Sequence, residues 1–384
     1  MMEASSSRPF PKLLVIGAGP AGTSAAIRLR DRGHDVLLVD RANFPRDKIC
    51  GCCLNLAAIA SLMRIRCDKI ITELATAPLN RWEMRLGEQR IAASLPGGVA
   101  VSRRAMDSTL ANEAVHRGVT LRLNCEARVM TVAADRVTVS LRSDKQATEL
   151  CEFDAVILAS GLSGGGVSQW LPFTQFPAGP LGVGIVLDSM DQVVSQTIHM
   201  ICGTTGYVGL VRLEDGRVDL AAAIRRPSKS ESPFGRIEIA ASINALLRTS
   251  GMQELTTQNI ADLKMTPPLT RSRKVGFGAL LVAGDAAGYV EPFTGEGMAW
   301  AIESGIEAAD CISQYFSVPT RMPRALAEQW ERVYAKMSRK RQWICRFVSL
   351  ALGSERVAGY LIPVMNLAPW VVKLAVRRLN RISR

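Results

Sequence analysis

Four short runs along the chain are apolar at every position rather than at every second one. They are Leu13-Leu14-Val15-Ile16, Val36-Leu37-Leu38-Val39, Ala155-Val156-Ile157-Leu158-Ala159 and Ala279-Leu280-Leu281-Val282-Ala283. Such runs predict strands buried on both faces, as in a parallel sheet flanked by helices. Helix-forming stretches follow the first and last of them: residues 20–32, with Gly33 as the stop, and residues 297–312. Residues 119–141 alternate instead, as in Val137-Thr138-Val139-Ser140-Leu141, and predict a small sheet with one solvated face. Residues 206–212 and 218–223 read as a hairpin that turns near Asp215-Gly216.

The junctions between these elements carry the chemistry. Gly17-Ala18-Gly19-Pro20-Ala21-Gly22 joins the first strand to the first helix, and the second strand ends in Asp40-Arg41. In a strand–turn–helix setting, Gly17 permits the tight turn, Gly19 lets a pyrophosphate approach the backbone, and Gly22 lets helix and strand pack closely. Asp40 stands at the spacing of an acid that binds a ribose hydroxyl. That much predicts a dinucleotide. A second segment, Gly284-Asp285 followed by Pro292, Gly295, Gly297 and Met298, points to FAD. It sets a carboxylate at a strand end and backbone N–H groups at a helix start, where one can hold a ribityl hydroxyl and the others favour negative charge on a bound ring. The expected fold class is α/β (α+β overall): a Rossmann-like FAD-binding domain with an inserted antiparallel-sheet substrate domain and a C-terminal helical tail.

Together these segments resemble the FAD-dependent oxidoreductase superfamily of geranylgeranyl reductases, flavin-dependent halogenases and class A flavin monooxygenases, over roughly residues 10–320. Phe44-Pro45-Arg46-Asp47-Lys48-Ile49-Cys50-Gly51 resembles an element of the reductase branch, and Arg103, Asp107 and Leu110 match a helix start whose arginine lies along FAD. The resemblance implies that Asp285 contacts the ribityl chain and that residues 295–298 face the flavin's pyrimidine edge. Two departures matter. Ser160-Gly161 stands where monooxygenases usually carry Asp-Gly, which keeps the glycine for FAD but puts direct reduction by NAD(P)H in question. After Tyr207, Gly209, Val211 and Arg212 replace the reductases' tryptophan, phenylalanine and proline. The FAD-binding domain is expected in two pieces, residues 10–170 and 275–320, around a substrate-binding domain at 171–274; residues 321–384 form a basic, apolar helical region.

Charge sharpens that last boundary. Of a net charge of +12, residues 321–384 hold +11, with 14 Lys+Arg against three Asp+Glu, so the body is nearly neutral. A basic body that would bind nucleic acid is thereby excluded. The final segment is amphipathic, with Val371, Val372, Ala375, Val376, Leu379 and Ile382 opposite Lys373, Arg377, Arg378, Arg381 and Arg384. It fits equally a helix lying on an anionic membrane and one docked on the body. Pro363 and Pro369 argue against a spanning helix. Nine cysteines without regular spacing, and no apolar leader before the first strand, point to a reducing cytoplasm, with peripheral membrane contact as an extension. No metal site is expected: Cys50, Cys52 and Cys53 lack a second ligand pair, and His34, His116 and His199 are scattered.

No Ser-His-Asp set is present, so the hard chemistry belongs to the flavin. Candidate catalytic residues are Lys48, Cys50, Tyr207 and Glu291. Each has a plainer alternative: an inert thiol for Cys50, sheet packing for Tyr207 and a solvated loop carboxylate for Glu291. The expected activity is flavin-mediated reduction or dehydrogenation of a hydrophobic, lipid-like or phenolic molecule, with NAD(P)H as a possible electron donor. The alternatives are an O2-using aromatic hydroxylase and a flavin-free lipid-escort protein.

Overall fold

The computed structural model describes residues 11–74, 77–143, 147–164, 166–176, 179–226, 234–289, 296–318, 322 and 325–352; for residues 70 and 339–352 only the backbone is described. Glu291, Pro292, Gly295 and the amphipathic segment 371–384 lie outside them.

The four apolar runs form neighbouring strands of one six-stranded sheet, in the order Gly276–Phe277, Leu280–Val282, Ala155–Leu158, Lys12–Ile16, Asp35–Val39 and Thr120–Arg122. All adjacent pairs are parallel except the first, a short antiparallel edge. Ala155–Leu158 and Leu280–Val282 are buried at every position, as continuous apolar runs require when helices cover both faces. Helix Pro20–Asp31 starts with Pro20 just after its N-cap, Gly19, and stops at Gly33, whose φ of +86° ends the helical path. The alternating stretch splits in two. Thr120–Arg122 joins the parallel sheet, while Cys125–Val132 pairs antiparallel with Val137–Ser143, which pairs with Glu149–Phe153.

A seven-stranded sheet forms the second layer, in the order Lys264–Pro268, Leu181–Leu187, Val218–Ile224, Gly206–Arg212, Thr197–Gly203, Arg81–Leu86 and Gln89–Ser94. The expected hairpin is present, with Arg212 facing Val218 at its closing pair. Two of the strands come from outside residues 171–274. Arg81–Leu86 runs parallel to Thr197–Gly203 and hairpins back into Gln89–Ser94. Helix Arg236–Thr249 buries Ile239, Ile243 and Leu247 in one apolar cluster with Val208, Leu210 and Leu220 on one face of this sheet.

Two helices close the FAD-binding layer. Gly297–Ser317, one turn longer than the expected 297–312, packs on Pro20–Asp31 through Gly305; a β-carbon there would lie 2.0 Å from the Ala21 carbonyl oxygen. Helix Ala325–Leu352 docks its start on the parallel sheet, where fully buried Trp330 donates from Nε1 to the Val282 carbonyl at 3.0 Å. The head of the basic C-terminal region is thus part of the body. Among the described residues no helix is long and apolar enough to cross a membrane.

Gly305→Ala is expected to lower unfolding stability by about 1–3 kcal/mol, the cost of forcing two packed backbones apart. Urea denaturation followed by circular dichroism checks this, and an unchanged midpoint would refute the close approach.

Candidate cofactor and substrate site

The site is built where the strand ends of the parallel sheet meet the second layer. Gly17 has φ +103° and a hypothetical β-carbon there would fall 2.4 Å from the Ala159 carbonyl oxygen, so only glycine fits. Gly22 is tighter still, 1.8 Å from the Gly17 carbonyl oxygen. Gly19 differs: its β-carbon would point between the guanidinium tips of Arg103, 3.7 Å away, and Arg46, 3.9 Å away. A backbone turn open toward two cations beside a helix N-terminus is suited to a pyrophosphate.

Asp40 braces this turn from below. Its Oδ2 accepts from the Ala18 N–H at 2.8 Å and from Arg46 at 3.1 Å, and its Oδ1 accepts from the Ala42 N–H at 2.9 Å. Oδ1, which accepts a single one of these bonds, keeps a lone pair for a sugar hydroxyl. Arg41 is exposed beside it. Arg103 opens helix Arg103–His116, capped by Ser102, and is held by a bidentate pair to Asp107, both contacts at 2.8 Å. Desolvation pulls its pKa down, but Asp107 and Cys50 outweigh that and raise it.

Asp285 stands just past strand Leu280–Val282, as expected. Burial raises its carboxyl pKa against the opposing pull of Arg103, Arg271 and Lys48, which places all four groups in one electrostatic neighbourhood. Lys48 is held below the ordinary lysine value by desolvation and by Arg46 and Arg103. Gly284 has φ +64°, and its N–H donates to Ser304 Oγ at 2.9 Å, tying this strand end to helix Gly297–Ser317. Gly297 and Met298 open that helix, Met298 buried. Gly161, at φ +64°, leads a short turn and has nothing within 4 Å of its open side.

Cys50 is partly exposed and packs against a cluster of Cys52, Cys53, Leu79, Ala100, Val211 and Leu213, bridging the cofactor layer and the second sheet. A hydrogen bond from Cys52, followed by the Arg103 charge, lowers its pKa to about 6 against the cost of burial. It is therefore largely thiolate at neutral pH. Tyr207 lies on the same sheet face as Val211 but packs with Met84, Ile91, Met200 and Cys202, away from this cluster. The structure thus gathers Gly17, Gly19, Gly22, Asp40, Arg103, Lys48, Cys50 and Asp285, and sets Tyr207 apart. The histidines are separate too: His34 bonds Ser313 at 3.1 Å, His199 accepts from the Val194 N–H at 3.2 Å, and His116 is exposed. Among the described residues no group of three His, Cys, Asp or Glu is arranged to hold a metal ion.

Residues outside the expected set complete the site. Arg46 Nε and Ser160 Oγ are buried without a hydrogen-bond partner, and so is Arg271 Nε. Such atoms are costly unless a ligand meets them. Arg46 follows Asp40 within the Phe44-to-Gly51 element, a signal available in the sequence; Arg271 lies on the three-residue strand Arg271–Arg273, where no motif marks it. The open glycine turns, the cations and these orphaned donors together fit FAD.

Comparison with known proteins agrees. A family model described as FAD binding domain matches residues 12–315. A menaquinone reductase of Mycobacterium tuberculosis is 24% identical over 382 residues, covering 96% of this chain and 91% of its own. The solved flavin-dependent brominase Bmp2 superposes with a TM-score of 0.77 at 14% identity, covering 97% of this chain and 93% of its own. A geranylgeranyl bacteriochlorophyll reductase-like protein of Thermoplasma acidophilum gives 0.71 at 16% identity, covering 90% and 88%.

Gly19→Val would push two methyl groups between Arg46 and Arg103 while keeping an ordinary backbone angle, φ −80°. We expect FAD affinity to fall at least about tenfold, or ~1.4 kcal/mol, with an unchanged melting curve for the cofactor-free protein. Titration followed by flavin fluorescence tests this; wild-type affinity would place the cofactor elsewhere.

Proposed function

Because the chain belongs to the FAD binding domain family, and its fold is that of flavin-dependent oxidoreductases, we propose that it oxygenates a hydrophobic, phenol-like ring with O2 while FAD is bound. Oxygen chemistry receives better support than the expected reduction, since the brominase fold covers more of the chain, at a higher TM-score, than the reductase-like one. The observation that carries the substrate class is the junction between the layers. Cys50 and the apolar side chains of Ala100, Val211 and Leu213 meet there, beside the cations that surround Asp285.

FAD, when bound, supplies the electron transfer and the activation of oxygen. The protein's share is positional. Gly17, Gly19 and Arg46 would hold the pyrophosphate end of FAD, Asp40 and Arg41 the ribose, and Gly161, Asp285 and Arg103 the ribityl chain. Pro20, Ala21, Gly22, Gly284, Gly297 and Met298 would shape the two helix starts against the cofactor. Lys48 and Arg271 add positive charge where negative charge develops during the reaction. Cys50 packs with Val211 and Leu213 where the two layers meet, and Tyr207 packs elsewhere on the same sheet face. NAD(P)H is the proposed electron donor, drawn from solution without a carboxylate at position 160. The basic residues of 321–384 are proposed to bring a cytoplasmic enzyme to an anionic membrane that stores such substrates.

Reduction is the second reading, favoured by the menaquinone reductase that matches nearly end to end.

One experiment separates the two. The reduced holoenzyme is mixed with prenylated quinones and with alkylphenols, first without oxygen and then under ¹⁸O2. Label in the product supports oxygenation; return of oxidised-flavin absorbance with a quinone in the absence of oxygen overturns it in favour of reduction.

A further inference from the structure

The charge of residues 321–384 gives the chain a reason to approach an anionic surface but does not say which face of the body lands on it. Among the described residues, the exposed phenylalanine, tyrosine and tryptophan side chains are three: Phe173, Phe176 and Phe277, at 40%, 47% and 38% exposure. Single exposed rings are ordinary on enzyme surfaces and need no explanation. These three lie together. Phe173 belongs to the edge strand Phe173–Gln175 and stands directly opposite Arg273. The Phe176 N–H donates to the Thr270 carbonyl at 3.1 Å and the Lys274 N–H to the Pro172 carbonyl at 3.3 Å, so both ends of this strand pair are fastened. Phe277 follows in strand Gly276–Phe277, with the Lys274 ammonium 5.9 Å from its ring centre.

Cations accompany the rings. The Arg273 guanidinium carbon is 5.0 Å from the Phe173 ring centre, as Lys274 lies over Phe277. A ring beside a cation suits the boundary of a bilayer, where the ring enters the apolar side and the cation meets phosphate. Among the described residues, the one carboxylate within 4 Å of either cation is Glu331, 3.8 Å from Lys274. The patch also adjoins the basic region. A β-carbon on Gly276 would lie 2.9 Å from the Ala327 carbonyl oxygen, so Phe277 follows a residue seated against helix Ala325–Leu352, which continues through Arg339, Lys340 and Arg341. On its inner side the same strand reaches the cofactor turn. Arg271 Nη1 donates to the Leu162 carbonyl, and Arg273 Nη1 to the Gly164 carbonyl at 3.0 Å.

We propose that Phe173, Phe176 and Phe277, with Arg273 and Lys274, form the surface by which the body seats on an anionic lipid bilayer. The rings enter the acyl boundary and the cations meet headgroup phosphates. The proposal rests on the membrane reading given above, and on neither reaction in particular. It adds the face that lands and the orientation that follows: strand Arg271–Arg273 has lipid at one end and the turn that begins at Gly161 at the other. A second copy of the chain is the other occupant such a face could take. A self-complementary pairing would set these cations against their own copies, whereas a phosphate-rich surface neutralises them.

The test uses the full chain with FAD bound, and vesicles of phosphatidylcholine with and without phosphatidylserine. Co-sedimentation is expected to show binding to the phosphatidylserine vesicles that weakens as salt rises. The triple variant Phe173→Ser/Phe176→Ser/Phe277→Ser alters only exposed side chains. It should bind these vesicles at least about tenfold more weakly, with unchanged circular dichroism and flavin absorbance. In the wild type, a diazirine-tagged phosphatidylserine should cross-link within residues 172–176 and 270–277, read by peptide mass spectrometry. A triple variant that binds like the wild type, or cross-links confined to other segments, overturns the proposal and leaves the membrane reading standing. Wild-type protein that stays in the supernatant at low salt removes that reading, and the proposal with it. A variant that changes the oligomeric state in sedimentation velocity, with vesicle binding unchanged, assigns the patch to a second copy and overturns the proposal. If the triple variant does not fold, the wild-type cross-links still decide.

Discussion

Everything in the FAD-binding layer depends on one close approach of backbone to backbone. Helix Pro20–Asp31 is wedged between the Gly17 carbonyl on one side and helix Gly297–Ser317 on the other, with Gly22 and Gly305 as the contact points. Any side chain at either point would lift the helix from its strand, and the N–H groups at its start would no longer point into the turn that Asp40 braces. The same contact brings Gly284 against Ala21, 2.8 Å from a hypothetical β-carbon, so packing adds to the strand ladder and the Ser304 hydrogen bond in registering the segment that bears Asp285 to the dinucleotide turn. Two motifs more than 250 residues apart act as one site because glycine removes the space between them.

That layer was legible in the sequence for a physical reason. Continuous apolar runs, special backbone angles and close approaches each leave a local mark, and Lys12–Ile16, Gly17, Gly33 and Gly284 all carry it. The second layer was less legible. Arg81–Leu86 and Gln89–Ser94 complete its sheet, yet Trp82, Met84 and Ile91 have no motif, and a parallel pairing with a strand more than a hundred residues later cannot be read from alternation. The hairpin from Gly206 was visible because its turn residues announce it. Whether its Tyr207 reaches the cofactor was not, because that depends on which face the register turns inward and which cluster fills the space.

The catalytic candidates divide along the same line. Cys50 and Lys48 sit in a motif that fixes them close to the cofactor turn, and the structure places them beside Arg103 and Asp285. Arg271 sits on a three-residue strand with nothing in its neighbouring sequence to single it out, and only the folded chain shows its unpartnered Nε and its charge acting on Asp285. Electrostatics of this kind arises from tertiary contact and leaves no periodicity to read.

The two strands lent by residues 81–94 have a mechanical consequence. The chain passes between the layers after Pro78, back after Ser94, out again after Gln175 and back after Pro268, so four covalent tethers join them rather than the two of a simple insertion. Arg81–Leu86 is stitched along its length to Thr197–Gly203, so all four tethers end on one continuous sheet, and any displacement of that sheet relative to the cofactor layer must be absorbed at four chain crossings at once.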